Sequence, residues 1–272
     1  MGLFNLHAKP RRTVSLLLSI LLFVLCITAY GIVAHLRHKE NPNDKVVPTF
    51  GEMYDGLKRS ALEADRNNEL RLWIDTIASL RRFLISLAFL SLAVILGLKM
   101  GVFPYIELLF LRFMTFADKI PALAVLPILF IVFGLGEVSK VALILIGVFP
   151  TIALDTYLRA KDVPQEQITK GLTLGCSHFE IAYHVVFPQI FPAVLNTIRL
   201  NFKSMILFLI AGESLAATVG LGYRIFVVRR YLAMDIIIPY VIWMSLLAFG
   251  ADLLVRLWIK KGYKWANLEL NQ

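Results

Sequence analysis

Cysteine is scarce in this sequence. Only Cys26, inside an apolar run, and Cys176, in a polar stretch, occur among 272 residues. Separated by lipid depth, they supply no disulfide framework. Histidine is thin as well: His7, His35, His38, His178 and His184. His178 and His184 stand six apart, off a shared helical face and without carboxylates at ligand spacing, so no metal site is expected. A G-x-x-x-x-G-K-[ST] phosphate loop is absent, and the chain contains no Gly-Lys pair at all. That excludes nucleotide binding by this device. Gly220-Leu-Gly222 reads as a turn in an outside loop, with no phosphate-binding helix expected behind it. No Ser/His/Asp set is placed for nucleophilic catalysis, so the chain is not expected to be an enzyme by itself.

Charge is the other scarcity. Charged residues make up 17% of the chain and hydrophobic residues 58%, with a mean hydropathy of +0.72. A soluble domain is excluded, since its apolar share is about half. A span needs ~20 mostly apolar residues, and six are read, at about 13–36, 83–102, 104–133, 138–158, 189–212 and 236–259. The chain is therefore expected to be an all-α, multi-pass membrane protein. The first run, Thr13 to Ala34, exceeds a signal-peptide core, and Thr28-Ala29-Tyr30-Gly31 is a poor cleavage site, so it reads as a retained span. The net charge of +9 calls for no nucleic-acid partner, because basic residues at span ends anchor topology and meet anionic lipid.

Residues 37–82 form the longest polar region. It holds Pro48 and an amphipathic run from Met53-Tyr54-Gly56-Leu57 to Leu70-Trp73-Ile74-Ile77, whose apolar side is expected on membrane or protein. Lys9, Arg11 and Arg12, with Lys260, Lys261 and Lys264, lean towards both termini in the cytoplasm; Arg224, Arg229 and Arg230 would then face outside. Pro121, Pro127, Pro150, Pro192 and Pro239 interrupt spans. Each frees a carbonyl that only a neighbouring helix or water can satisfy, as in helices kinked around a central pathway.

One polar insert stands out among the apolar runs. Asp162-Val163-Pro164-Gln165 offers a helix start with an Asp cap, Gly175 a left-handed stop, and Ser177-His178-Phe179-Glu180 a capping box opening a second helix. The first helix would carry Ile168 and Leu172 on one face and Glu166 and Lys170 on the other. A plain connection would take a few residues. The insert reads either as a docking element or as an amphipathic hairpin on the bilayer.

Ionisable residues at membrane depth are the candidate functional side chains. Lys203 lies near the middle of the fifth span, with Arg199 one turn earlier and Asn201 and Ser204 beside it. Asp118 and Lys119 precede Pro121 in the third. Arg199 and Lys203 either help an anionic solute across or sit in a structural pair, Lys203 with Asp118 or Asp155; the pair is preferred. Glu213 either lines an outer gate or caps the following turn, and Asp252 and Arg256 are spaced to pair with each other.

Gly175, with Phe187-Pro188 closing the insert thirteen residues on, resembles the cytoplasmic loop of ABC-importer permeases. Where the family has Glu-Ala-Ala, this chain has Thr169-Lys170-Gly171, with Glu166 one turn earlier. Further stretches are similar to the nitrate/sulfonate/taurine branch: Ser79-Leu-Arg-Arg82, Pro121 to Pro127, Phe133-Gly-Leu-Gly-Glu137, and Ala211-Gly-Glu213 followed by Gly220-Leu-Gly-Tyr223. Together these cover roughly residues 75 to 265, in matching order.

The resemblance implies a type I (MetI-like) importer permease fold of six transmembrane helices in the bacterial inner membrane, with both termini cytoplasmic. It implies a first span at 13–36, a periplasmic amphipathic region at 37–82, a core at 83–259 and a cytoplasmic tail at 260–272. Coupling helices in loop 160–188, with Glu166, Thr169, Lys170, Gly171, Gly175, Cys176, Ser177, Phe187 and Pro188, would seat on an ATPase. The implied partners are a second permease copy as a homodimer, two cytoplasmic ATP-binding subunits holding ATP and Mg, and a periplasmic solute-binding protein. The chain itself would carry no cofactor. A pathway drawn on Asp118, Arg199, Lys203, Ser204 and Glu213 would pass a small solute by alternating access; Arg224, Arg229 and Arg230 lean towards a small anion. A cationic or vitamin-like solute, or a non-transporting sensory subunit, are the competing readings.

Overall fold

The structure, a computed structural model, describes residues 12–41, 44–64 and 69–265. Lys9 and Arg11 of the basic start, and the tail beyond Trp265, lie outside the described residues. The described chain is helical throughout. Its order is α1 (Arg12–Glu40), α2 (Phe50–Leu62), α3 (Arg71–Val102), α4 (Pro104–Ala117), α5 (Ala122–Phe133), α6 (Glu137–Lys161), α7 (Gln165–Thr173), α8 (His178–Glu180), a π-helical stretch (Ile181–Val186), α9 (Phe187–Leu200), α10 (Phe202–Ala216), α11 (Leu221–Arg229) and α12 (Met234–Gly262).

Five helices are long and apolar enough to cross a membrane unaided, the fourth being the continuous stretch His178–Leu200, and up to seven if each bent pair counts as a span. The six spans read from hydropathy fall within that range, but two have a different shape. Residues 104–133 form two helices that meet at 102°. Pro121 lacks an N–H and disfavours helix in the residue before it, so α4 ends at Asp118 and α5 starts anew. Residues 189–212 divide at Asn201, whose side chain donates to the Thr197 carbonyl at 2.9 Å and ends α9. The amphipathic region is also shorter than expected, because residues 71–82 already belong to α3.

The pair α3 and α6, which run parallel (Arg82 beside Glu137, Gly97 beside Ala153, Gly101 beside Ala160), is the spine. Gly97 and Gly101, four residues apart on one face of α3, bring its backbone against α6. A Cβ on Gly97 would strike the Ala153 carbonyl, and one on Gly101 the Ala160 methyl. Small residues at this spacing allow the van der Waals contact that drives helix association in lipid, where burial of apolar surface gives no advantage. Around the spine, Leu90, Ala93, Ile144, Val148, Ile152, Val194 and Met205 are buried in one cluster.

At the end where α3 begins, α2 opens with a capping box, Thr49 and Glu52 exchanging bonds. The Thr49 backbone N–H, at 2.7 Å, is the main cause holding the Glu52 carboxyl below its ordinary pKa. Gly56 lets α2 lie against the Asp235 carbonyl at the start of α12, and Arg59 pairs with Asp235 at 2.9 Å. By contrast, α1 touches this assembly chiefly near its C-terminal end. The Tyr30 hydroxyl donates to the Pro48 carbonyl at 2.8 Å and Ala34 is buried, whereas Leu22 and Phe23 are exposed in the protomer.

Candidate functional site

At the far end of α6 the insert forms two helices around a corner. Pro164, rather than Asp162, occupies the N-cap of α7. Asp162 is taken by the preceding helix, its N–H bonded to the Leu158 carbonyl, so the expected Asp cap is corrected. Gly175 adopts φ +87°, and two bonds close the corner: Cys176 N–H to the Gly171 carbonyl (3.1 Å) and Gly175 N–H to the Leu172 carbonyl (3.0 Å). This is a Schellman stop. Ser177 and Glu180 then exchange bonds of 3.2 and 2.7 Å as a capping box. Gly171 is buried against Ile181, Phe179 stacks on Phe103 with ring centroids 5.1 Å apart, and Gln189 donates to Gln167 at 2.7 Å. The corner is therefore braced on α3, α4 and α9, and its tip remains bare. Glu166, Thr169, Lys170, Gly175, Ser177 and Pro188 are exposed, Cys176 and Phe187 half-buried, and Leu174 is 85% exposed.

Twenty residues before the end of α3, or ~30 Å along its axis, lies a network of buried charge. Arg82 donates to Glu137 at 2.8 Å through Nη2 and to Glu213 at 2.7 Å through Nη1, and bonds the Val219 carbonyl at 2.9 Å. Lys140 also reaches Glu137, at 3.0 Å. Glu213, wholly buried, accepts from Ser79 at 2.7 Å and from the Gly222 N–H at 2.8 Å. Alongside, Asp75 accepts from Arg224 at 2.8 Å and from the Gly220 N–H at 2.9 Å, while Ser79 accepts from the Leu221 N–H at 2.9 Å. Arg82, Lys140 and Arg224 balance buried Asp75 and Glu213 and the exposed Glu137 at the rim, so that the largely buried charges are paired. A helix does follow Gly220, contrary to the expectation of a plain turn. Its N-terminal amides, a ready anion site, are filled by the protein's own Asp75, Ser79 and Glu213. Of the two readings of Glu213, the cap is the one the geometry shows.

A third cluster sits between these ends. An open groove of ≈ 430 Å³ runs beside α10 and α12, lined by Arg199, Lys203, Ser245 and Asp252 among apolar side chains. Asp252 lies ten residues before the end of α12, ~15 Å along the axis, about half a hydrocarbon thickness. Neither expected Lys203 pair forms: Asp118 is held by Lys119 (2.9 Å) and Thr151 (2.7 Å), and Asp155 by Arg159 (2.7 Å). Lys203 has no hydrogen bond or ion pair among the described residues. Nor do Asp252 and Arg256 pair; Asp252 faces Arg199 at 3.3 Å, and Arg256 points away, exposed. An i, i+4 spacing offered Arg256 as a partner, but the groove brings the guanidinium of another helix closer.

Residues 90–261 match the family of binding-protein-dependent transport system inner membrane components. The chain belongs to that family. It is 30% identical to the taurine transport system permease protein TauC of Escherichia coli (strain K12) over 68% of each chain. Against the putative aliphatic sulfonates transport permease protein SsuC of the same organism it is 29% identical, over 52% of this chain and 56% of that one. The SsuC protein of Bacillus subtilis (strain 168) is 27% identical over 65% and 64%. The chain is thus an inner-membrane, multi-pass permease subunit of an ABC transporter.

In this permease the residues singled out in the sequence do not form one site. The insert residues lie together at the corner; Arg199 and Lys203 line the mid-depth groove, which half-buried Ser204 does not; Glu213 and Asp118 stand apart from them and from each other. Four stretches of the resemblance meet in the charge network through Ser79, Arg82, Glu137, Glu213 and Gly220. Asp75 and Lys140 escaped the sequence reading, and Arg224 was placed in it with a different role. Asp75 is an acid in a run that continues into an apolar helix, which is a signal for burial with a partner. Arg224, counted as an outer-loop charge, is 18% exposed and committed to Asp75.

Proposed function

We propose that this permease imports a small anion of the sulfonate type, working as two copies with two cytoplasmic ATP-binding subunits and a periplasmic solute-binding protein. The observation that carries the reading is the braced corner at Gly175, whose tip leaves Lys170, Leu174 and Phe179 bare. In a family that moves solutes with separate partners, such a projecting, doubly capped element has the form of a knob for a cleft. The chain has no phosphate loop, so ATP and Mg would be held by those partners. Rigid bracing matters: a push at the tip passes into α6, α9 and the π-helical turns at Ile181–Val186 rather than being absorbed locally.

Closure of the ATPases would move this corner and rock the helices between inward-open and outward-open arrangements, and hydrolysis would reset them. The solute-binding protein would meet the opposite end, where α2, Tyr231 and Asp235 border a polar groove of ≈ 740 Å³. The anion preference is supported by the relatives that carry taurine and aliphatic sulfonates in their names, and by the groove with Arg199 and Lys203. An exposed ammonium at bilayer mid-depth costs roughly 2.5–3.5 kcal/mol against lipid, so Lys203 belongs towards a solute path or a second copy.

The permease, purified with its partners in proteoliposomes, is expected to show ATPase activity that rises with binding protein loaded with 2-aminoethanesulfonate or an alkanesulfonate, and not with a cationic amine. A complex without a stimulated ATPase would overturn the coupling assignment, and stimulation by the amine alone would overturn the solute class.

A further inference from the structure

The groove beside α10 and α12 is left with a surplus positive charge. Arg199 and Lys203 line it against a lone acid, Asp252. Elsewhere the buried cations are tightly held, Arg224 at 2.8 Å and Lys140 at 3.0 Å. Here the bond between Arg199 and Asp252 is 3.3 Å, long for an ion-paired N–H···O, and the Arg199 Nε is buried without a partner among the described residues. Asn196 takes the remaining Nη2 at 2.8 Å. Lys203 is exposed and unpaired among the described residues. At about half the hydrocarbon thickness, lipid disfavours the ammonium.

We infer that this groove is a water-filled anion subsite of the solute path, in which a monoanionic head group bridges Lys203 and Arg199 and displaces Asp252. This deepens, and rests on, the permease reading above. Asp252 is the resident counter-ion: it holds Arg199 while the path is empty and yields to a passing anion because its bond is loose. Its side chain is 34% exposed, so it can be hydrated once displaced. One surplus positive charge matches one negative charge on the solute; a dianion would meet Asp252 as repulsion. Weak holding by two cations, one of them unpaired among the described residues, suits passage rather than storage.

The inference is tested by thiol chemistry at the groove, in membrane vesicles from cells producing the whole transporter with Cys26 and Cys176 replaced by serine. Ser245→Cys is expected to react with anionic sulfonatoethyl methanethiosulfonate in preference to its trimethylammonium counterpart, about tenfold over the ratio at an exposed reference, Tyr231→Cys. Lys203→Met should erase the preference, Lys203→Arg keep it and Asp252→Asn increase it. An unreactive Ser245→Cys, equal rates with both reagents, or a preference untouched by Lys203→Met would each overturn the subsite. If sulfonate uptake persists with an unreactive groove, the subsite alone falls. If the groove is anion-selective but no anion is taken up, the transport reading alone falls.

Discussion

Glu213 shows how one side chain can bind several parts of a membrane protein. Its carboxylate takes Ser79 and Arg82 of α3 and the amide of Gly222 in α11, so three segments depend on two oxygens. Removing a partner from a buried pair leaves an uncompensated charge, at roughly 3–5 kcal/mol. Glu213→Leu is therefore expected to lower the thermal midpoint of the detergent-solubilised permease sharply. Combining it with Arg82→Met should cost less than the sum of the two single changes, because the charge stranded by each is removed by the other. Strict additivity in the melting series would mean that the pair is not an energetic unit. Arg82 and Glu213 are 131 residues apart, and both stand in stretches that the sequence reading had already marked. Their pairing was invisible there, since periodicity reports which face a residue takes along its own helix and nothing about which helix comes to meet it.

Elements whose logic is local were legible, and those that depend on direction were not. The corner at Gly175 and the box at Ser177 follow from residue types three to five apart, so the sequence alone placed them. Hydropathy, in contrast, sums apolar character and is blind to a bend, which is why the 102° break and the division at Asn201 went unread. Gly175→Pro would forbid φ +87° and remove the N–H bonded to Leu172. It should leave the permease in the membrane at normal abundance while uncoupling ATP hydrolysis from uptake; undiminished uptake by that variant would refute the coupling role. The spine makes a contrasting case. Gly97-Leu-Lys-Met-Gly101 was on view as a small-residue repeat, yet the facing Ala153 and Ala160 lie in another helix. Gly97→Val should push α3 from α6 and cost about 1–3 kcal/mol as overpacking, read as a lowered melting temperature with transport lost in proportion. A variant as stable as the parent would show that the close approach is dispensable.

At the scale of the whole molecule, the two ends of the bundle differ in kind, a bare braced corner at one and a filled charge network at the other, and the proposed function requires them to face opposite sides of the membrane. Helix α6 runs 25 residues, ~37 Å at 1.5 Å per residue, so Glu137 and Lys161 emerge on opposite faces of a ~30 Å hydrocarbon layer. The corner end carries Arg159, Lys161 and Lys170, with Lys260 and Lys261 in the last turn of α12 and Lys264 beyond it. Basic residues are matched in place by acids at both ends: Arg159 with Asp155 and Lys161 with Glu107 at the corner end, and Arg37 with Asp44, Arg59 with Asp235 and Arg224 with Asp75 at the other. The proposed coupling role requires the corner end to lie in the cytoplasm, where an ATP-binding partner would find it. In a chain with Cys26 and Cys176 replaced by serine, Tyr231→Cys should be labelled by a membrane-impermeant thiol reagent added to intact spheroplasts. Lys170→Cys should be labelled only after the membrane is opened. The pairing of these two positions makes the outcome decisive, because both are exposed in the protomer and both lie outside the long helices. Labelling of Lys170→Cys in sealed spheroplasts would put the corner on the outer face, where no ATP-driven partner could push it, and the charge network with its filled helix terminus would then lie on the inner side.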